Sequence, residues 1–62
     1  MVYLLTCEDT THVFTKSFTT LDKAKKYAVK YQGGFPKWAK WERSGKAWVC
    51  DAAAYIWTIK RG

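Results

Sequence analysis

The order of apolar and polar residues predicts two strands in the first part of the chain. The run Val2–Cys7 (VYLLTC) is almost continuously apolar, as is typical of a central strand. The polar residues of Glu8–Thr11 favour a turn. The segment His12–Phe18 (HVFTKSF) is rich in the β-branched and aromatic residues that favour strands. Together these segments predict an antiparallel hairpin.

A helix is predicted to follow the hairpin. Thr20 can cap its N-terminus, Asp22 suits the positive end of its dipole, and Gly33 and Gly34 end it. Apolar residues recur at helical spacing on one side: Leu21, Ala24, Tyr27, Ala28 and Tyr31. A stripe of lysines lies on another side: Lys23, Lys26 and Lys30. The apolar stripe predicts packing on a core, whereas the lysine stripe fits either a solvated surface or a binding surface.

The second half of the chain has the pattern of β structure. Lys37–Glu42 (KWAKWE) and Lys46–Cys50 (KAWVC) are predicted to form a hairpin around residues 43–45, and Tyr55–Lys60 (YIWTIK) a last strand. Asp51–Ala54 (DAAA) allows either a connecting turn or one turn of helix. The order predicts an α+β fold, ββα followed by two or three strands, with a single helix packed on one face of one antiparallel sheet. One helix cannot cover both faces, so the other is expected to meet water or a partner.

The register of the second hairpin decides which tryptophans share a face. A three-residue loop with a bulge at Gly45 gives a core face with Ala39, Trp41, Ala47 and Val49. The opposite face then carries Trp38, Lys40, Glu42, Lys46 and Trp48. A two-residue turn at Ser44 and Gly45 would place Trp41 opposite Trp48 and divide polar from apolar residues less cleanly. Because a shift of one residue moves every side chain to the other face, we favour the bulged loop.

Composition indicates one small domain over residues 1–62 with an aromatic core. A chain of 62 residues buries only about 60% of its unfolded surface. Four Trp, four Tyr and three Phe supply the large side chains that such a small core needs. No apolar run is long enough for a membrane span or a signal peptide, which predicts a cytoplasmic protein without membrane contact.

The residues that carry covalent or metal chemistry are few. Cys7 and Cys50 have no metal-binding spacing and are expected to be buried free thiols, although a disulfide stays possible if their strands are adjacent. His12 is the single histidine, so we expect no metal and no other cofactor. No nucleophile motif or phosphate-binding loop is present, and the chain is therefore predicted not to be an enzyme.

Charge and aromatic content together predict a binding surface. The net charge of +6 and the isoelectric point near 9.6 attract polyanions. Tryptophan rings beside lysines suit single-stranded nucleic acid, whose bases stack and whose phosphates pair with cations. The same residue types suit a protein interface or self-association. The predicted binding residues are Trp38, Lys40, Lys46, Trp48, Lys23, Lys26 and Lys30.

The layout of the whole chain resembles the small accessory proteins of bacteriophages. It combines an initial MVYLL strand, a polar turn, the segment SFTTLDKAKKYAVKY and Trp-rich closing strands. This resemblance implies a protein of the host-cell cytoplasm that binds a host factor and inhibits or redirects it. The subclass that mimics DNA is strongly acidic, unlike this basic chain. We therefore expect a binding protein for an acidic host protein or for a second copy of itself, with single-stranded nucleic acid as the alternative partner.

Overall fold

The computed structural model describes residues 2–62, so Met1 of the predicted domain lies outside the described residues. Within that range the chain forms β1 (Tyr3–Glu8), β2 (Val13–Phe18), α1 (Leu21–Gln32), β3 (Glu42–Ser44), β4 (Ala47–Ala52) and β5 (Tyr55–Arg61). The strands pair antiparallel in the order β2-β1-β5-β4-β3. The predicted α+β fold, ββα followed by strands in one sheet with a helix on one face, is confirmed.

The helix begins and ends where its capping residues predict. The side-chain oxygen of Thr20 accepts a hydrogen bond of 3.1 Å from the backbone N–H of Lys23. At the other end Gly33 has a φ of 82°, and the N–H groups of Gly33 and Gly34 donate to the carbonyl of Val29 at 3.0 and 2.9 Å. Within α1 the buried residues are Ala24 and Ala28. Their small side chains let the helix lie close over β1, β2 and β5.

The core is centred on β5. Trp57 and Ile59 are fully buried on the helix side of this strand, and Leu5 and Cys7 of β1 lie directly beside them. Cys50 of β4 pairs with Trp57 from the opposite side. The two cysteines are therefore separated by β5, about 9–10 Å apart at two strand spacings, which is too far for a disulfide. The structure records both as buried free thiols, as expected.

A glutamine joins the helix to the sheet. The indole N–H of Trp57 donates to the side-chain oxygen of Gln32 at 2.9 Å. The amide nitrogen of Gln32 donates in turn to the backbone carbonyl of Ala52 at 2.7 Å. Since an unpaired polar group in a core is costly, this one side chain lets a tryptophan occupy the centre of the molecule.

The register predicted for the second hairpin is wrong. The observed pairs are Ser44 with Ala47 and Arg43 with Trp48, around a two-residue turn at Gly45 and Lys46. Trp48 consequently lies on the helix side of the sheet, whereas Ala47 and Val49 lie on the other side. The six pairs between β4 and β5 fix β4, and they place Trp48 beside Ile59 and Cys50 beside Trp57. The residues of the hairpin alone do not indicate how β4 pairs with β5.

The strand predicted over residues 37–42 is also wrong for most of its length. The backbone N–H of Ala39 donates to the carbonyl of Pro36 at 3.0 Å, which closes a turn around Lys37 and Trp38. Pairing in this part of the chain begins at Glu42. Ala39 and Trp41, which the sequence places on the core side, do pack against the core.

The DAAA segment is a continuation of β4 followed by a tight turn. Ala52 pairs with Tyr55, which leaves Ala53 and Ala54 as the two residues of the turn. Ala53 has a φ of 67°, a left-handed conformation that favours glycine over residues with a Cβ.

Replacing Gln32 by leucine is expected to lower the free energy of unfolding by about 1–3 kcal/mol, because the indole N–H of Trp57 and the Ala52 carbonyl lose their partner. Urea denaturation measures this change. Lys30→Leu, an exposed substitution in the same helical turn, is the control and should change stability by less than about 0.5 kcal/mol. Equal effects of the two substitutions would contradict the role of Gln32.

Ala53→Gly is expected to stabilise the protein by about 0.5–1 kcal/mol. The left-handed conformation costs alanine about 1–2 kcal/mol, and the greater chain entropy of unfolded glycine offsets part of that gain. Ala54→Gly supplies the matched control, since Ala54 has no positive φ. It should be neutral or destabilising in thermal denaturation, and stabilisation by both substitutions would refute this account of the turn.

Candidate binding surface

Basic and aromatic side chains converge at one corner of the helix side of the sheet. We call this group, Tyr3, Arg43, Lys46, Trp48 and Arg61, the basic–aromatic cluster. The register brings it together from both ends of the chain, because Tyr3 pairs with Arg61, and Arg43 pairs with Trp48. The helix lies over β1, β2 and β5, and so this corner near β3 and β4 stays accessible.

Both arginines of the cluster lie against aromatic rings. The Arg43 guanidinium is 4.6 Å from the centre of the Trp48 ring, and its Nε donates to the Gly45 carbonyl at 3.1 Å. The Arg61 guanidinium is 6.0 Å from the Tyr3 ring. Tyr3 and Trp48 meet edge to face, with ring centres 6.1 Å apart. The rings therefore hold two cations in defined positions and leave their N–H groups available to an acceptor.

The cluster borders a shallow depression of about 410 Å³ that Arg43, Lys46, Trp48 and Arg61 line together with Gly62. Within residues 2–62 the ion pair that the structure contains is Lys26 with Asp22, at 3.1 Å, and it lies outside the cluster. Three cations thus face a common space without a carboxylate partner from the described chain. A negatively charged group is the complementary ligand for such a space.

Charge is divided between the two sides of the sheet. Among residues 2–62 the helix side and the helix itself carry eight positive side chains: Lys16, Lys23, Lys25, Lys26, Lys30, Arg43, Lys46 and Arg61. The acidic residue of the helix itself, Asp22, is already paired with Lys26. The opposite side, which we call the open face, carries Glu8, Glu42 and Asp51 with Lys60, and Lys40 lies beside Glu42 and Asp51. The positive potential is therefore concentrated on the helix side.

The structure separates the residues that the sequence predicts as one binding face. Trp48 and Lys46 belong to the basic–aromatic cluster. Trp38 and Lys40 lie at the open face, in a depression that they share with Glu42, Val49 and Asp51. Trp38 is 64% exposed, whereas Trp48 is half-buried. The predicted pair of tryptophans on one surface is thus not formed.

The predicted lysine stripe is exposed on the outer surface of α1. Lys23, Lys26 and Lys30 all point to solvent, and Lys26 pairs with Asp22 one helical turn away. Exposed pairs of this kind contribute little to stability. The stripe adds positive potential to the helix side without forming a pocket.

Sequence analysis missed Tyr3, Arg43 and Arg61 as members of a site. Each lies in a segment whose local pattern indicates only a strand or a loop, and their proximity results from pairing between β1, β5, β4 and β3. A correct register for the second hairpin would have placed Arg43 beside Trp48. The pairing of Tyr3 with Arg61 joins opposite ends of the chain, and no local signal marks it.

The remaining reactive groups lie apart from the cluster. Burial raises the pKa of Cys7 and of Cys50, with nearby carboxylates adding to the effect, which makes both thiols poor nucleophiles. Backbone N–H groups of Thr11 and His12 donate to the Asp9 carboxylate at 2.7 and 2.6 Å and lower its pKa, so it stays ionised in the first turn.

Residues 2–62 contain neither a metal-binding group of side chains nor a membrane-spanning helix. No group of three His, Cys, Asp or Glu side chains there is arranged to hold a metal ion. No helix in the same range combines the length and the apolarity that crossing a bilayer requires.

No protein-family model, curated protein or solved structure matches this chain.

Truncating the two separated tryptophans is expected to have unequal effects on stability. Trp48→Ala removes contacts with Tyr3 and Arg43 from a half-buried ring and should cost about 2 kcal/mol, less than the ~3–5 kcal/mol typical of fully buried rings. Trp38→Ala should cost less than about 0.5 kcal/mol, because the ring is mostly exposed. Urea denaturation of both variants checks the register, and similar losses would contradict it.

Proposed function

We propose that this chain is a small non-enzymatic binding protein that docks on an acidic protein through its helix side, with the basic–aromatic cluster at the centre of contact. In keeping with its resemblance to phage accessory proteins, the partner is a host protein of the cytoplasm, which the chain inhibits or redirects. The observation that carries this proposal is the convergence of Arg43, Lys46 and Arg61 around Trp48 without an acidic partner from the described chain.

The order already present in the cluster supports a role in protein binding. An interface normally loses affinity when long side chains are immobilised. Arg43 is held by the Trp48 ring and by the Gly45 carbonyl, and Arg61 lies over Tyr3. Trp, Tyr and Arg are also the residues that contribute most at the centres of protein interfaces. The cluster combines all three.

The positions of the tryptophans favour protein over single-stranded nucleic acid. Base stacking needs an open ring face. Arg43 covers one face of Trp48, and the edge of Tyr3 meets the same ring. Trp38 is open, but it lies beside Glu42 and Asp51, whose charges repel phosphates. Trp48 thus lacks an open ring face, and the two carboxylates beside Trp38 outnumber the one lysine in the same depression, Lys40.

The proposal predicts that capture of a partner depends on the cluster. In a host-cell lysate, wild type should retain at least about ten times as much captured protein as the double variant Arg43→Glu/Arg61→Glu. The reason is that truncating or reversing charges that are buried in an interface speeds dissociation. Lys37→Glu/Lys40→Glu changes the net charge equally outside the cluster and is the matched control. It should capture nearly as much partner as wild type does.

Nuclease treatment separates protein from nucleic-acid binding in the same experiment. We expect capture to survive treatment and the captured protein to be acidic. Loss of capture after nuclease treatment would contradict the proposal. So would micromolar binding of a single-stranded oligonucleotide at physiological salt, with a salt slope near −0.7 per phosphate and dependence on Trp48.

A further inference from the structure

The open face of the sheet carries a charge pattern of its own. Its side chains form three rows across the strands. One outer row is Val13, Glu8, Ile56 and Asp51; the middle row is Thr15, Thr6, Thr58, Val49 and Glu42; the other outer row is Ser17, Leu4, Lys60, Ala47 and Ser44. Glu8 and Asp51 thus lie in one outer row, Glu42 lies in the middle row, and Lys60 lies in the other outer row. Trp38 and Lys40 border the face beside Glu42 and Asp51.

The face also exposes large apolar side chains. Leu4, Val13 and Ile56 are among the exposed large hydrophobic residues, with 36%, 64% and 43% of their surface accessible. Within the described chain, Glu8, Asp51 and Lys60 form no ion pair. Apolar groups and charges of both signs without a partner in the described chain therefore share one surface.

We propose that a second copy of this chain covers the open face, in a face-to-face dimer whose two-fold axis lies along the middle row, perpendicular to the strands. This axis exchanges the two outer rows. Lys60 then lies opposite the partner's Ile56, in the strand between those that carry the partner's Glu8 and the partner's Asp51. Because neighbouring strands are about 4.8 Å apart and packed sheets about 10 Å, the lysine can reach both carboxylates.

Charge distinguishes this arrangement from the other simple one. A two-fold axis parallel to the strands, along β5, would place Lys60 against the partner's Lys60 and Glu8 against the partner's Asp51. Both contacts join like charges, which oppose association. With the perpendicular axis, Lys60 instead meets the partner's carboxylates. Because a two-fold interface repeats every pair, this favourable contact occurs twice. Glu42 meets its counterpart in this arrangement, but at the edge strand, where solvent screens the repulsion.

The size of the face predicts a weak dimer. Four strands of six or seven residues and the three-residue β3 cover at most roughly 24 by 20 Å, which is at the small end of specific interfaces. We therefore expect a dissociation constant in the micromolar range. The middle row would bring threonine hydroxyls and Val49 together, while Ile56, Leu4 and Ala47 are covered on either side. Both basic helix sides remain outside and face away from each other.

Variants that exchange the charges of the two outer rows test the arrangement. Their dissociation constants are measured by sedimentation equilibrium at about 0.15 M salt. Lys60→Glu alone should raise the dissociation constant at least about tenfold, because the new carboxylate meets the partner's acids. Glu8→Lys/Asp51→Lys alone should do the same through lysine–lysine contacts. An equimolar mixture of the two variants should restore association to near the wild-type level, since in the mixed dimer residue 60 of each copy again meets opposite charges at positions 8 and 51 of the other.

Controls keep this result specific. Lys23→Glu changes the net charge equally on the helix side and should dimerise like wild type, and mixing it with Glu8→Lys/Asp51→Lys should not draw the latter variant into dimers. If Lys60→Glu fails to fold, Lys60→Gln replaces it. Lys60→Gln should weaken the dimer less than Lys60→Glu would. A wild-type protein that is monomeric at about 1 mM, variants that dimerise like wild type, or a mixture that stays monomeric would each overturn the proposal. None of these outcomes depends on partner capture, which uses the opposite side.

Discussion

The burial of one indole N–H constrains the rest of this fold. Trp57 fills the centre of the sheet, and its N–H has to find an acceptor there. Gln32 supplies that acceptor from the last turn of the helix and ties itself to the Ala52 carbonyl at the end of β4. One side chain thus fixes the helix against β5 and β4 together. With its C-terminal end held there, the helix lies over β1, β2 and β5 and leaves the corner near β3 uncovered.

The elements that sequence predicts correctly are those with local causes. Thr20 and Gly33 determine the ends of the helix through hydrogen bonds that span three or four residues. The hairpin register fails because its cause is not local. Trp48 faces the helix side since β4 pairs with β5 over its full length, whereas β3 contributes three pairs. Pattern analysis of residues 37–49 favoured the cleanest division of polar from apolar residues, and the observed sheet has a mixed open face instead.

The residues of the candidate site divide in the same way. Some are predictable from their neighbours in the sequence, and others come together only through pairing between distant strands. Lys46 and Trp48 were predicted from a run of tryptophans and lysines, and they do belong to the cluster. Trp38 and Lys40 come from the same run, but the turn at Pro36 directs them to the open face. Arg61 and Tyr3 carry no local signal, because their contact depends on pairing between β1 and β5. Tyr3 and Arg61 are therefore beyond prediction from their neighbours in the sequence.

The alternation of side chains along five strands gives the two sides of the sheet different chemistry. A residue two positions away stays on the same side, so Lys60 and Arg61, adjacent in sequence, serve opposite surfaces. The helix side collects cations ordered on aromatic rings, and the open face collects apolar groups with charges of both signs. Substitutions on one side leave the charges of the other unchanged. Covering the open face with a second copy would moreover hold two basic surfaces at a fixed separation, so that an acidic partner with repeated sites would bind with greater avidity than one with a single site.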